Sequence, residues 1–250
     1  MKKAVVTLIT ATALLSSCEK STDGLRPLSS FTVINATTDV TSAKAYASEK
    51  NIYWKNLPAT DAAAQYQSAH LGAFASNNNV RAVSATDTTI SLFSSVKAEE
   101  FKLAAFNTLF LCGNAGASYD GIFIQKDNIV NHTDSVLGMR FINLSPNSSP
   151  VNITLSTSPT VNEATGLAYK QITDFKTYPA LQSTSSMIFQ LRDAGGTWLA
   201  SYTLPVTPAS PYTNVGIPWA RFKNITLMVK GLQGTTSGTN AFGIFPVAHY

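Results

Sequence analysis

Met139-Arg-Phe-Ile-Asn143-Leu-Ser145 has a counterpart earlier in the chain, Phe31-Thr-Val-Ile-Asn35-Ala-Thr37. Each is a short apolar run ending in Ile-Asn, then a small or apolar residue and a hydroxyl. A second pair follows in the same order, Thr108-Leu-Phe-Leu-Cys-Gly113 and Thr226-Leu-Met-Val-Lys-Gly231. The first pair is 108 residues apart and the second 118. Two ordered anchors with a small length difference indicate a duplicated unit. The reading that follows is a first domain over 31–127 and a second over 138–250, joined by the polar stretch Asp127–Gly138. Each is close to the ~100 residues that suit a β-sandwich.

Working outward, the composition of both units is that of strands. Short runs rich in Val, Ile, Phe, Tyr and Thr are bounded by Gly, Pro, Asn and Ser. Strands are expected over 31–34, 43–47, 89–93, 108–112, 121–125, 139–143, 151–155, 186–192, 198–204, 226–229 and 241–245. Met187–Arg192, Asp-Ala-Gly-Gly and Trp198–Tyr202 read as a hairpin with a glycine turn. Ala62–His70 is the best short helix candidate, with an alanine-rich loop as the other reading. The fold class expected is all-β: two tandem immunoglobulin-like antiparallel β-sandwich domains behind a lipoprotein signal peptide.

That signal peptide is read over residues 1–17. Lys2-Lys3 supplies a charged start and Ala4–Leu15 an apolar segment of 12 residues, too short for the roughly 20 needed to span a bilayer as a helix. Leu15-Ser16-Ser17-Cys18 then matches the lipobox of bacterial lipoproteins, in which the cysteine thiol accepts the diacylglycerol. Cys18 is therefore the expected lipidation site. Residues 18–30 are polar and read as a flexible tether. Two or more acyl chains hold a protein to a membrane far more firmly than one, so the expected location is the cell envelope, lipid-anchored at the outer membrane, with the membrane itself as one partner.

Charge and cysteine content narrow the function further. Charged residues are 13% of the chain, about half the usual share, and Ser, Thr and Asn take their place. The formal charge of +4 falls to +2 once Lys2 and Lys3 leave with the leader. No dense basic run exists, so no nucleic-acid partner is expected. With Cys18 lipidated, Cys112 has no disulfide partner, and its apolar neighbours make it a small core residue rather than a reactive thiol.

The second unit also resembles a known family. Met139-Arg-Phe-Ile-Asn-Leu-Ser-Pro-Asn-Ser-Ser-Pro-Val-Asn-Ile-Thr-Leu155 is similar to the opening of domain of unknown function 4397. The similarity continues through Leu167–Pro179, the strand Met187–Arg192, Thr226–Gly231 and the closing Pro246–Tyr250. The first unit shares the opening and the 108–113 strand, whereas residues 57–86 have no counterpart. The resemblance implies exported, often lipidated, tandem immunoglobulin-like domains, and it supplies no catalytic residues. The Asn-Leu-Ser-Pro opening reads as turn chemistry.

Few residues suggest a reaction. His70, His132 and His249 lie far apart, outside any metal-ligand spacing, and each reads as a loop or terminal histidine. Glu99-Glu100 is the one adjacent acidic pair, and strand neighbours face opposite ways. No phosphate loop, dinucleotide fingerprint or nucleophile elbow occurs. No cofactor, no metal and no enzymatic activity are expected. The aromatics remain. Trp54 and Trp219, both in expected loops, are candidate ligand-binding residues that could stack on a sugar or anchor a protein. Trp198 lies inside an expected strand and reads as core. Asp87-Thr-Thr89 and Asp134-Ser-Val136 resemble an O-glycosylation acceptor. The function expected is a non-catalytic binding or structural module of the envelope, with a carbohydrate-binding or adhesin-like surface protein as the alternative.

Overall fold

The computed structural model describes residues 28–46, 62–74, 80–94, 105–124, 126–206 and 220–249. They form sixteen strands: β1 Leu28–Asn35, β2 Ser42–Tyr46, β3 Ala62–Ala64, β4 Ser68–Phe74, β5 Arg81–Ser84, β6 Ser91–Ser94, β7 Phe106–Asn114 and β8 Ser118–Ile124 in the first module. The second holds β9 Val136–Asn143, β10 Val151–Leu155, β11 Ser158–Leu167, β12 Lys176–Pro179, β13 Ser186–Arg192, β14 Trp198–Pro205, β15 Asn224–Lys230 and β16 Gly243–His249. The described chain is all-β, in four sheets of four strands.

The duplication reaches the topology. In the first module, sheet β4-β1-β7-β8 packs on sheet β3-β2-β5-β6; in the second, β12-β9-β15-β16 packs on β11-β10-β13-β14. Adding eight to each strand number converts one module into the other. Residues 57–86, without a counterpart in the sequence, contain β3, β4 and β5, which match β11, β12 and β13. The turns agree residue by residue. Tyr66 N–H donates to Asn35 O and Lys170 N–H to Asn143 O, while Asn35 N–H donates to Gln67 O and Asn143 N–H to Gln171 O.

Three sequence expectations are corrected. Ala62–His70 is neither helix nor loop throughout, but two strands about a tight turn in which Tyr66 takes a φ of 57°. Gln65 N–H donates to Thr41 O just before β2, and Gln67 N–H closes the turn on Ala64 O, so strand pairing and the turn take the backbone groups a helix would have used. The sheets are not wholly antiparallel: β1 runs parallel to β7 and β9 parallel to β15. The closing strand runs Gly243–His249 rather than 241–245, with Pro246 tolerated because β16 is an edge strand.

Alternation explains how four sheets stack. Phe31 and Val33 of β1 join Ala43, Ala82, Leu92, Leu109 and Leu111 in the first module's core. Leu137, Met139 and Phe141 of β9 join Ile153, Phe189, Leu191 and Leu227 in the second. The intervening residues Ile34, Phe110, Ile142 and Met228 point the other way. They meet, together with Cys112, Leu144 and Val247, in a third apolar cluster. That cluster is the seam between the modules, so the inner sheets are buried on both faces. Such strands read as near-continuous apolar runs.

The repeated Ile-Asn motif now has a structural reason. Asn35 and Asn143 are fully buried. Asn35 Nδ2 donates to Ala63 O on β3, and Asn143 Nδ2 donates to Leu167 O at the end of β11. Their Oδ1 atoms accept from Thr37 N–H and Ser145 N–H. Each asparagine pins the end of an inner strand to the outer sheet, and a buried amide left without such partners would cost about 1–3 kcal/mol. The repeated glycines are equally constrained. Gly113 and Gly231 have φ of 91° and 76°, and a Cβ on them would meet Ser118 O at 2.0 Å and Ala241 O at 2.4 Å.

Candidate functional site

Among the described residues, the seam and the tip of the β13–β14 hairpin bring polar and aromatic groups together. At the seam Arg140, on β9, is 4% exposed, and Asp127, just after β8, is 5% exposed. Their pairing is bidentate, with Nη1 to Oδ1 and Nη2 to Oδ2 both at 2.6 Å. Thr108 Oγ1 donates to Asp127 Oδ2 at 2.6 Å, and Arg140 Nε donates to Thr226 Oγ1 at 2.9 Å. Thr108 and Thr226 are the threonines that open the second repeated anchor. Thr226 Oγ1 lies 2.7 Å from His249 Nε2. The Arg140 guanidinium also sits over the Phe175 ring, 4.4 Å from its centroid.

His249 is 5% exposed. Burial, then the positive charge of Arg140, holds its pKa well below the usual imidazole range. Because Thr226 Oγ1 already accepts from Arg140 Nε, the Nδ1-protonated tautomer of His249 lets Nε2 accept a hydrogen bond from the Thr226 hydroxyl and extends the network from Arg140 outward. His70 of β4 bonds Thr32 Oγ1 through Nδ1 at 3.0 Å, and burial lowers its pKa too. His70 lies in a strand and not in a loop as expected, and His249, terminal in the sequence, is the last residue of β16; both bond threonines. His132 does lie in the connecting segment, where Nε2 contacts Asn224 Oδ1 at 3.2 Å. A cleft of about 410 Å³ opens beside Asp127, Arg140 and Phe175.

Away from the ion pair, the seam's contacts are reciprocal. Tyr66, in the β3–β4 turn, donates its hydroxyl to Asn240 Oδ1 at 3.0 Å, and the Lys230 ammonium lies 4.3 Å from its ring centroid. Burial pushes the Tyr66 hydroxyl up to about 12. The equivalent turn of the second module carries Lys170, which pairs with Asp120 on β8 of the first. Asn240 Nδ2 also donates to Thr38 O at 2.7 Å. Equivalent elements thus touch across the seam in both directions, as in a two-fold dimer interface. Among the described residues no group of three or more His, Cys, Asp and Glu could hold a metal. Cys112 is buried in the seam, and burial raises its thiol pKa.

The hairpin tip corrects a further expectation. Trp198 is 55% exposed rather than core. The β13–β14 register slips between Leu191 and Arg192, which pairs with Trp198. This bulge interrupts alternation, so that Leu199 and Ala200 both pack on the core and the indole turns outward. The turn is held by Thr197 N–H donating to Asp193 Oδ1 at 2.8 Å, with Gly196 at a φ of 85°. A hollow of about 500 Å³ lies beside the ring, floored by the β15–β16 loop.

Cys18, Trp54 and Trp219 lie outside the described residues. Asp87-Thr-Thr89 is exposed in the β5–β6 turn, its Asp87 Oδ1 accepting from Thr89 N–H and Oγ1. Asp134-Ser-Val136 leads into β9.

No family model matches the chain, and no curated protein matches it. Among solved structures it is similar to one described as a "putative cell adhesion protein from Bacteroides eggerthii DSM 20697", with 10% identity over 89% of this chain and 95% of that one, at a TM-score of 0.20.

Proposed function

We propose that the chain is a lipid-anchored protein of the bacterial cell envelope, with no catalytic role, whose two β-modules act as a binding or spacing body. The observation that carries this reading is the register of Lys2-Lys3, the apolar run Ala4–Leu15 and the lipobox Leu15-Ser-Ser-Cys18. The resemblance of Met139–Leu155 to domain of unknown function 4397 supports the same reading. No helix among the described residues is long and apolar enough to cross a membrane, and an acyl anchor on Cys18 supplies attachment without one. A body joined through an apolar seam suits a spacer, because its ends keep a fixed separation.

The test is fractionation. Cys18→Ala is expected to move the protein from the membrane to the soluble fraction after cell disruption. Membrane association that persists and still needs detergent for release would contradict the anchor. The adhesin-like alternative gains from the outward-facing Trp198, since an exposed indole beside a hollow is a ready contact for a ligand.

A further inference from the structure

We propose that the hollow beside Trp198 is a binding site for a neutral sugar ring. The inference rests on the binding reading above and is independent of the lipid anchor. The site combines one flat aromatic face with uncharged polar groups. Trp198 and Phe242 supply the apolar surface; Ser201, Gln233, Thr235 and Thr236 supply the polar one, and no charged side chain lines the hollow. A pyranose has the matching duality. Its axial C–H bonds form an apolar patch that packs on an indole face, while its equatorial hydroxyls need donors and acceptors around the rim. An anionic or cationic ligand would find no counter-charge, and burying an unpaired charge is costly. The volume of about 500 Å³ lies within the usual range for small-ligand sites.

The site is also built in advance. Gln233 N–H donates to Asn147 Oδ1 at 2.8 Å, Asn147 Nδ2 returns a bond to Gln233 O at 3.2 Å, and Ser149 N–H donates to Gln233 Oε1 at 2.9 Å. Thr235 N–H donates to Leu232 O at 2.9 Å, and Phe242 N–H to Thr235 O at 2.8 Å. These bonds fix the loop backbone and occupy the Gln233 carbonyl. Its amide N–H groups and the hydroxyls of Ser201, Thr235 and Thr236 take no protein partner among the described residues. Asn147 and Ser149 belong to the Asn-Leu-Ser-Pro-Asn-Ser-Ser stretch, so this turn sequence braces the floor of the hollow. A preformed loop lowers the ordering cost of binding.

The test uses the full chain in detergent and ligand-observed saturation-transfer NMR. The probes are glucose, galactose, mannose, N-acetylglucosamine and disaccharides made from them, with sialic acid and glucosamine as charged controls. Saturation on the ring C–H protons of at least one neutral sugar is expected, together with a loss of affinity of at least about tenfold in Trp198→Ala. Trp198→Phe, which keeps an aromatic face, is expected to bind in between. The exposure of Trp198 means that the variants should melt with the parent, which circular dichroism checks. Absence of any neutral-sugar signal, binding confined to the charged controls, or binding undiminished in Trp198→Ala would each overturn the proposal. Because none of these outcomes depends on Cys18, failure here leaves the fractionation result to stand or fall by itself.

Discussion

Replacing Arg140 by Met is expected to destabilise the folded chain by about 3–5 kcal/mol, which for a body of this size lowers Tm on the order of 10 °C. The guanidinium engages both oxygens of Asp127 and the hydroxyl of Thr226. Met fills much of the same volume, so the loss comes from electrostatics rather than from a cavity. Asp127 would be left buried with Thr108 as its remaining side-chain partner, and an unpaired buried carboxylate is the expensive part. The double variant Arg140→Met/Asp127→Asn is therefore expected to recover most of the loss, a coupling that a thermodynamic cycle measures directly. Additive losses in urea denaturation would mean that the two side chains are not energetically coupled.

The second large effect is acid sensitivity. His249 titrates near 6.5 when unfolded and well below that in the folded chain. Below pH 6.5 the unfolded chain therefore binds a proton that the folded chain refuses, and stability rises with pH through this window. Between pH 7 and pH 5 the expected loss from this residue is about 2 kcal/mol, and it continues to grow towards the folded-state value. His70, also depressed by burial, acts in the same direction. His249→Gln keeps an acceptor for Thr226 but cannot charge. Its urea midpoint should change less between the two pH values than that of the parent; equal changes would exclude His249 as the source.

How much of this was legible beforehand depends on what each residue faces. The inner strands announced themselves because Leu109–Cys112 and Phe141–Ile142 carry apolar side chains on successive positions. The same lack of alternation was a sign that both faces are covered, and hence of the seam. Strands β11 and β12 gave no such sign: Ser158–Leu167 and Lys176–Pro179 are mostly exposed edges, where polar residues are tolerated. The β3–β4 corner was hidden by Ala62-Ala-Ala64, whose helix propensity is overridden by pairing with β2. A match was available there, since Ala64-Gln-Tyr-Gln67 parallels Ala168-Tyr-Lys-Gln171, but four residues of which only the first and last agree do not stand out without coordinates.

The candidate sites divided along similar lines. Arg140 sat in plain view inside an apolar strand, yet only the fold brings Asp127 to it, because the connecting segment folds back across β7 with Asp127 N–H donating to Phe106 O at 2.7 Å. Trp198 reads as core from its place inside an expected strand, and an inward ring there requires a hairpin without a bulge. One extra residue opposite Arg192 reverses it. The Asn-Leu-Ser-Pro turn was readable as a turn; its bracing of the loop under Trp198 was not, since Asn147 and Gln233 lie far apart in sequence.

The seam holds the two modules as one body. Differential scanning calorimetry of the full chain in detergent tests this directly. A single endotherm is expected, with calorimetric and van't Hoff enthalpies in agreement, shifted as a whole to lower temperature by Arg140→Met. Two separable transitions, of which Arg140→Met moves only one, would contradict it.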